Sequence, residues 1–397
     1  MFSKILRLLI FCFIILNCIA QGQTIIRLDK SSISVAYLDN KIQSLMREAH
    51  VHGLAISIFN NNEPVYSKTF GYKRIDTREP IKAGTNFYGA SFSKAIFAVL
   101  VMKLAEEGMI DLDKPLQDYL IKPIFEYTPT KRWHDNYSDL KNDTLYKKIT
   151  ARMCLDHTSG FPNWRSDEED EKLRVKLKPG SRYSYSGEGM VYLQVVLEYM
   201  LGKSLEELMH DKIFTPLGMH MSSYTWQAKF EKDYCFGHNT TGKMYEKDKD
   251  NEARAASTLE TTLNDYTLFT KAVLKNSILK LSTRKVMFTP QIKIRSVRQF
   301  GPLRLRDSTA NDAIDLSYGL GWVLLKSPYG IGAFKEGHGD GFQHYSIIFP
   351  DHRTGIVIMS NSDNGESIFK ELLETAIGDR FTPWLWENYI PYNQRKN

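Results

Sequence analysis

Residues 87–108, FYGASFSKAIFAVLVMKLAEEG, constrain the chain more than any other stretch. After the turn residues Gly89 and Ala90, apolar side chains at Ile96, Phe97, Val99, Leu100, Met102 and Leu104 recur at helical spacing, and Gly108 stands where a helix stops. The pattern predicts a long, largely apolar helix that opens on Ser91-Phe92-Ser93-Lys94, an S-x-x-K spacing. Ser91 then lies in the first turn, where unpaired backbone N–H groups and the positive end of the dipole point outward. Lys94 shares its face. A desolvated lysine can give up its proton and act as base towards a serine within hydrogen-bond reach. One helical turn therefore offers a nucleophile, a base and an N–H donor.

The spacing alone is common. It recurs at Ser138/Lys141, Ser277/Lys280, Ser282/Lys285 and Ser367/Lys370, where a capping serine and a solvated lysine explain it. Context separates Ser91: small turn residues before it and the apolar helix after it. In that context the stretch resembles the first box of the serine β-lactamase and penicillin-binding-protein superfamily, especially its class C-like branch of esterases and peptidases.

Two further segments extend the resemblance. Pro179-Gly180-Ser181-Arg182-Tyr183-Ser184-Tyr185-Ser186-Gly187 is similar to the family's P-G-x-x-[FY]-x-Y-S-N segment, which implies that Tyr185 is a general base or proton shuttle. A phenol near ammonium groups has its pKa lowered and can exchange a proton with the serine and the leaving group. The family's asparagine position holds Gly187, which leans away from β-lactam hydrolysis. The third box lies within residues 334–345 and admits two registers. Lys335-Glu336-Gly337 on the [KH]-[TS]-G triplet needs no gap and keeps both the triplet's glycine and the later Gly341-Phe342. His338-Gly339-Asp340 on an H-x-G variant needs a deletion and loses the glycine. The ungapped register is preferred. It implies that Lys335 faces the substrate, and that the backbone N–H of His338 pairs with that of Ser91 as an oxyanion hole. Glu336 in place of a hydroxyl residue departs from the pattern and puts carboxylate recognition in doubt.

Along the chain, residues 37–48 read as an amphipathic helix, and residues 53–59 and 64–70 as a hairpin around Asn60-Asn61-Asn62. Residues 115–254 turn to helices and polar loops, with 133–148 and 167–178 charged and expected to be exposed. Asp156-His157-Thr158-Ser159-Gly160-Phe161-Pro162 and Phe214-Thr215-Pro216-Leu217-Gly218-Met219 resemble structural landmarks of the family; His157 reads as a hydrogen-bonded turn residue. Residues 189–209 read as helical with a break at Gly202, and 261–273 as a helix with Asp265 in its first turn. Strand-like runs follow at 318–325, 331–334, 345–349 and 355–360, then a closing helix over 367–377. The expected fold class is α/β (α+β): an antiparallel sheet built from both ends of the chain, residues 24–114 and 255–397, with a mainly helical insertion at 115–254.

A chain of 397 residues with a net charge of +6 and no basic block is not a nucleic-acid surface. Lys4 and Arg7, the apolar run 8–16 and Asn17-Cys18-Ile19-Ala20 read as a secretory signal over residues 1–20, too short for a span. Cys18 also leaves a lipoprotein anchor open. The remaining cysteines, Cys154 and Cys235, either pair or stay as core thiols. No HExxH, C-x-x-C or G-x-G-x-x-G motif calls for a metal or cofactor, and no serine stands in G-x-S-x-G. The resulting expectation is an exported, periplasmic or secreted serine hydrolase with no cofactor. Ser91, Lys94 and Tyr185 are catalytic, and Lys335, Gly337 and His338 form the substrate and oxyanion side. Its partner is a small ester, peptide or cell-wall-derived substrate. A catalytically altered binding protein, a true β-lactamase and a D-alanyl-D-alanine carboxypeptidase remain the alternatives.

Overall fold

The computed structural model describes residues 24–129, 132–249 and 252–394. Residues 1–20, read from the sequence as a secretory signal, lie outside the described residues, and among the described residues no helix is long and apolar enough to cross a membrane. One antiparallel nine-stranded sheet organises the described chain. From one edge it runs Glu79–Pro80, Glu63–Arg74, Gly53–Asn60, Thr354–Ser360, Phe342–Phe349, Gly330–Gly339, Val323–Ser327, Ser317–Tyr318 and Ile292–Lys293. The N-terminal hairpin thus docks on the last strand of the C-terminal meander, with Ile356 opposite Ile58 and Ile358 opposite Ile56. Its turn is tight because Asn61 and Asn62 both take positive φ, 52° and 64°. That is the mirror-image turn matching strand twist, and asparagine tolerates it.

Each face of the sheet carries a core. On one, the helix Val35–Glu48, capped by the Ser34 side chain, buries Leu38, Ile42 and Leu45, and the helix Phe369–Ala376 lies beside it. On the other lies the helix Phe92–Glu106, buried on nearly every side from Phe92 to Leu104. The sequence pattern predicted a wide stripe; burial is almost all round because the sheet covers one side and the helical layer the other. That layer centres on the helix Gly187–Leu201, which ends at Gly202 with φ 64°, and on Leu205–Met209, opened by a capping box between Ser204 and Glu207.

Some elements differ from the sequence-based expectation. The run 318–325 is two strands, because Gly319 to Trp322 form a turn that lets Leu320 and Gly321 hydrogen-bond to Met287 and Leu155. The short run 331–334 grows into Gly330–Gly339, so Lys335-Glu336-Gly337 and His338-Gly339 all lie in strand. Residues 133–148 are not simply exposed: His134, Asp135, Tyr137, Leu140 and Tyr146 are buried in successive 3-10 turns. Cys154 and Cys235 are both free and buried, so they do not pair.

The helical layer is fastened by buried charge. Arg165 donates to both oxygens of Glu188, at 2.9 and 2.8 Å, and to the carbonyls of Asn136 and His134. Both side chains are essentially inaccessible. A buried pair of this kind contributes little net stability but makes removal of one partner costly. Glu188→Ala is therefore expected to lower the unfolding free energy by about 3–5 kcal/mol. Urea denaturation compares it with Arg174→Ala, which removes an exposed pair with Asp170. Equal midpoints for the two variants would show that the buried pair does not hold this layer.

Candidate active site

The serine helix begins under strain. Ala90, the residue before Ser91, has φ 46°, a left-handed value that a non-glycine residue holds only when its surroundings enforce it. Ser93 is part of that enforcement. Its hydroxyl donates to the Ala90 carbonyl at 2.5 Å and accepts the N–H of Leu259 at 3.0 Å, while Tyr224 donates to its carbonyl at 2.6 Å. The sequence singled out Ser93 only as a spacer between Ser91 and Lys94.

Lys94 Nζ lies 3.0 Å from Ser91 Oγ and 2.7 Å from the carbonyl of Ala256. The side chain is 1% exposed. Burial pushes its pKa below the ordinary lysine value; nearby Tyr185 opposes the shift and Lys335 adds to it. Tyr185 sits between the two ammonium groups, 4.7 Å from ring centre to Lys94 Nζ and 5.1 Å to Lys335 Nζ, and Lys335 Nζ donates to its hydroxyl at 3.3 Å. Burial alone raises the phenol, yet Lys335 and Lys94 outweigh it and hold the pKa below that of a free tyrosine. The arrangement can move a proton off the serine hydroxyl.

Lys335 and Glu336 are consecutive in the strand Gly330–Gly339, so they leave opposite faces of the sheet. They meet nonetheless, with Lys335 Nζ 3.0 Å from Glu336 Oε1. Sheet register explains how. Pairing with Val323–Ser327 ends at Phe334, whereas pairing with Phe342–Phe349 continues to Gly339. Beyond Phe334 one edge of the strand is open, and both side chains reach around it. Because alternate residues of an antiparallel strand bond to alternate neighbours, the N–H groups of Glu336 and His338 face that open edge. Glu336 also accepts from Gln299 at 2.6 Å; burial would raise its carboxyl, but Lys335 and Gln299 hold it low. Burial lowers Lys335, and Glu336 and Tyr185 together more than restore it, leaving the ammonium with a raised pKa.

Gly337 is where the strand meets the serine helix. A Cβ there would come within 3.0 Å of the Gly89 carbonyl and 3.4 Å of the Phe92 nitrogen. His338 is exposed, and its imidazole lies 3.5 Å from Glu366, which raises its pKa against the desolvation by its neighbours. His157 is fully buried with φ 59° and its Nδ1 accepts the N–H of Ser186 at 3.1 Å. Burial and the two lysines push it well below the usual histidine value, so it is a neutral turn residue beside Tyr185.

A cavity of about 340 Å³ joins these groups, lined by Ser91, Lys94, Tyr185, Glu336 and His338 together with Asn163, Trp164, Phe300, Glu366, Glu387 and Asn388. The second set was not found from sequence. Asn163 and Trp164 directly follow the Phe161-Pro162 turn, and continuing the motif by two residues would have reached them. Glu366, Glu387 and Asn388 come from the C-terminal region and carry no local signal. Trp164 explains the glycine of the second box. A Cβ on Gly187 would stand 2.7 Å from the Trp164 ring, so the indole fills the space a side chain there would take. Asn163 locks the arrangement, its carbonyl accepting the N–H groups of Gly187 and Glu188 at 3.0 Å each.

Comparison with known proteins agrees with this architecture. The chain is 22% identical over 364 residues to penicillin-binding protein 4* of Bacillus subtilis, covering 83% of this chain and 72% of the relative. Its fold is shared with the octameric penicillin-binding protein homologue of Pyrococcus abyssi, with a TM-score of 0.67, 22% identity and coverage of 89% of this chain and 80% of that one. The D-alanine carboxypeptidase AmpC of Burkholderia cenocepacia has the same fold, with a TM-score of 0.63, 20% identity and coverage of 82% and 93%. The sequence model of the Beta-lactamase family matches residues 38–376. That span takes in the N-terminal hairpin, the serine helix, the helical layer and the C-terminal meander, and the chain belongs to the Beta-lactamase family.

Proposed function

We propose that the protein is an exported serine hydrolase that cleaves an ester or amide bond through an acyl-enzyme on Ser91. The observation that carries this reading is the 3.0 Å approach of a buried Lys94 amine to the Ser91 hydroxyl. Ser91 Oγ attacks the carbonyl carbon while its proton passes to Lys94 or to the Tyr185 oxygen. The backbone N–H groups of Ser91 and His338 hold the carbonyl oxygen as it gains charge. Collapse breaks the bond to the leaving group, which takes up the proton. Water then repeats the attack on the acyl-enzyme and frees Ser91. Lys335 keeps Tyr185 in its easily ionised state. Export rests on the N-terminal segment read from the sequence.

The relative named as a D-alanine carboxypeptidase brings D-alanyl peptides into consideration. Two features of this chain weigh against them and against β-lactams. The Trp164 ring occupies the space beside Gly187 where the family's asparagine stands. Glu336, 2% exposed, stands where the resemblance puts a hydroxyl residue, and its charge repels a terminal carboxylate. Esters without an acylamino arm fit better. The purified protein is expected to hydrolyse a short-chain p-nitrophenyl ester with a higher kcat/KM than nitrocefin. Faster nitrocefin turnover would overturn the preference. Loss of ester hydrolysis in Ser91→Ala tests the nucleophile in the same assay.

The two registers of the third box are separated by mutation. Lys335→Ala is expected to reduce kcat/KM by about 10²-fold or more, and His338→Ala by less than about 10-fold, since alanine retains the backbone N–H. The pH profile adds a sign. The competent bases are deprotonated Lys94 and Tyr185, so kcat/KM rises with pH through their ionisation. The Lys335 charge lowers both pKa values, so its removal moves the ascending limb to higher pH. A larger loss in His338→Ala, with the limb unmoved in Lys335→Ala, would assign the box to His338-Gly339-Asp340.

A further inference from the structure

The charges around the cavity do not balance in pairs. Lys335 is matched by Glu336 at 3.0 Å and His338 by Glu366 at 3.5 Å. Glu387 is left over. It is 6% exposed, it lines the same cavity as Ser91, and its Oε1 has no hydrogen-bond partner among the described residues. Glu336 offers a second such oxygen: Oε1 is used by Lys335 and Gln299, but the buried Oε2 has no partner among the described residues. Both side chains are more than nine-tenths buried, and both border the space where a substrate must lie to reach Ser91. Buried polar atoms in native proteins almost always have partners, and those without one call for an explanation.

Lys335 and Gln299 hold Glu336 ionised, so the missing partner of its Oε2 must be a donor, and a donor that carries positive charge also draws Glu387 into its accepting form. Ionised carboxylates only accept, and a primary ammonium presents three N–H donors with a compensating charge. Among the described residues no group of side chains is arranged to hold a metal ion, so these oxygens are not part of a recognisable metal cage. Burial, with Glu336 and Glu366 nearby, pushes the Glu387 carboxyl well above its usual value, a state that an incoming cation relieves.

Building on the serine-hydrolase reading above, we infer that the substrate is an ester or amide bearing a free, protonated primary amine on its acyl side, and that Glu387 and Glu336 Oε2 bind that amine. The acyl-transfer step is unchanged: Ser91 forms the new bond to the acyl carbon, and the alcohol or amine departs with the proton. The ammonium is a binding handle and takes no part in bond making. Neutralising it by N-acylation removes both its charge and two of its donors. It also adds the acylamino arm for which Trp164 leaves no room.

The test pairs alanine methyl ester with N-acetylalanine methyl ester, in both enantiomers, using the full-length protein near pH 7. The expected result is a kcat/KM at least about 10-fold higher for the free amine, the scale of one charge-assisted hydrogen bond. Glu387→Gln should bring the ratio of the two constants towards one. Glu387→Asp, which keeps the charge, should restore part of the preference. Hydrolysis of p-nitrophenyl acetate, measured alongside with Ser91→Ala as control, reads the serine-hydrolase proposal by itself. Serine-dependent acetate-ester turnover with equal rates on the two alanine esters would overturn the amine inference and leave the general reading standing. No turnover of any of these esters would overturn both. A preference that survives in Glu387→Gln would remove Glu387 from amine recognition.

Discussion

The site depends on holding positive charge out of water. Lys94 and Lys335 are both buried against the Tyr185 ring, and neither has the solvent that normally stabilises an ammonium. The two respond differently because their neighbours differ. Lys335 has the Glu336 carboxylate at 3.0 Å and keeps its proton, whereas Lys94 has a carbonyl and a hydroxyl and is driven towards the free amine. Tyr185, caught between them, ionises more readily than a free phenol. One permanent cation, one weakened ammonium and one acidified phenol are the ingredients the proposed proton transfers need.

That electrostatic arrangement requires rigid supports from three directions. The strained turn at Ala90 is pinned by Ser93, Leu259 and Tyr224. The sheet edge past Phe334 approaches the helix closely because Gly337 has no side chain. From the helical layer, the Arg165–Glu188 pair fixes the segment that carries Asn163 and Trp164 against the helix following Tyr185. The same supports shape the cavity. Trp164 closes the space beside Gly187, and the unpartnered oxygens of Glu336 and Glu387 give the remaining cavity an acidic side.

Much of this was legible from residues in order. The apolar run after Ser91 specified the helix, and Asn60-Asn61-Asn62 specified the hairpin; the strand read over 331–334 stopped one residue short of Lys335, which the longer strand brings to Tyr185. Local patterns sufficed because each of these features is set by near neighbours. Contacts made across the fold were not legible. Glu387 reaches the cavity from a C-terminal turn, and Tyr224 supports the serine helix from 131 residues away. The burial of Tyr137 and Tyr146 in a stretch rich in charge was hidden for the opposite reason. Their rings face inward while Lys141, Lys147 and Asp143 supply the polar surface that dominates the sequence.

A Ser91 activated by its buried neighbours is a nucleophile even towards a reagent unrelated to its substrate. Treating the protein with a fluorophosphonate and measuring intact mass, followed by peptide mapping, tests it without knowledge of the natural substrate. A single adduct on Ser91 is expected, formed far more slowly in Lys94→Ala. Absence of an adduct, or an adduct on another serine, would contradict it and favour a binding protein on the same scaffold.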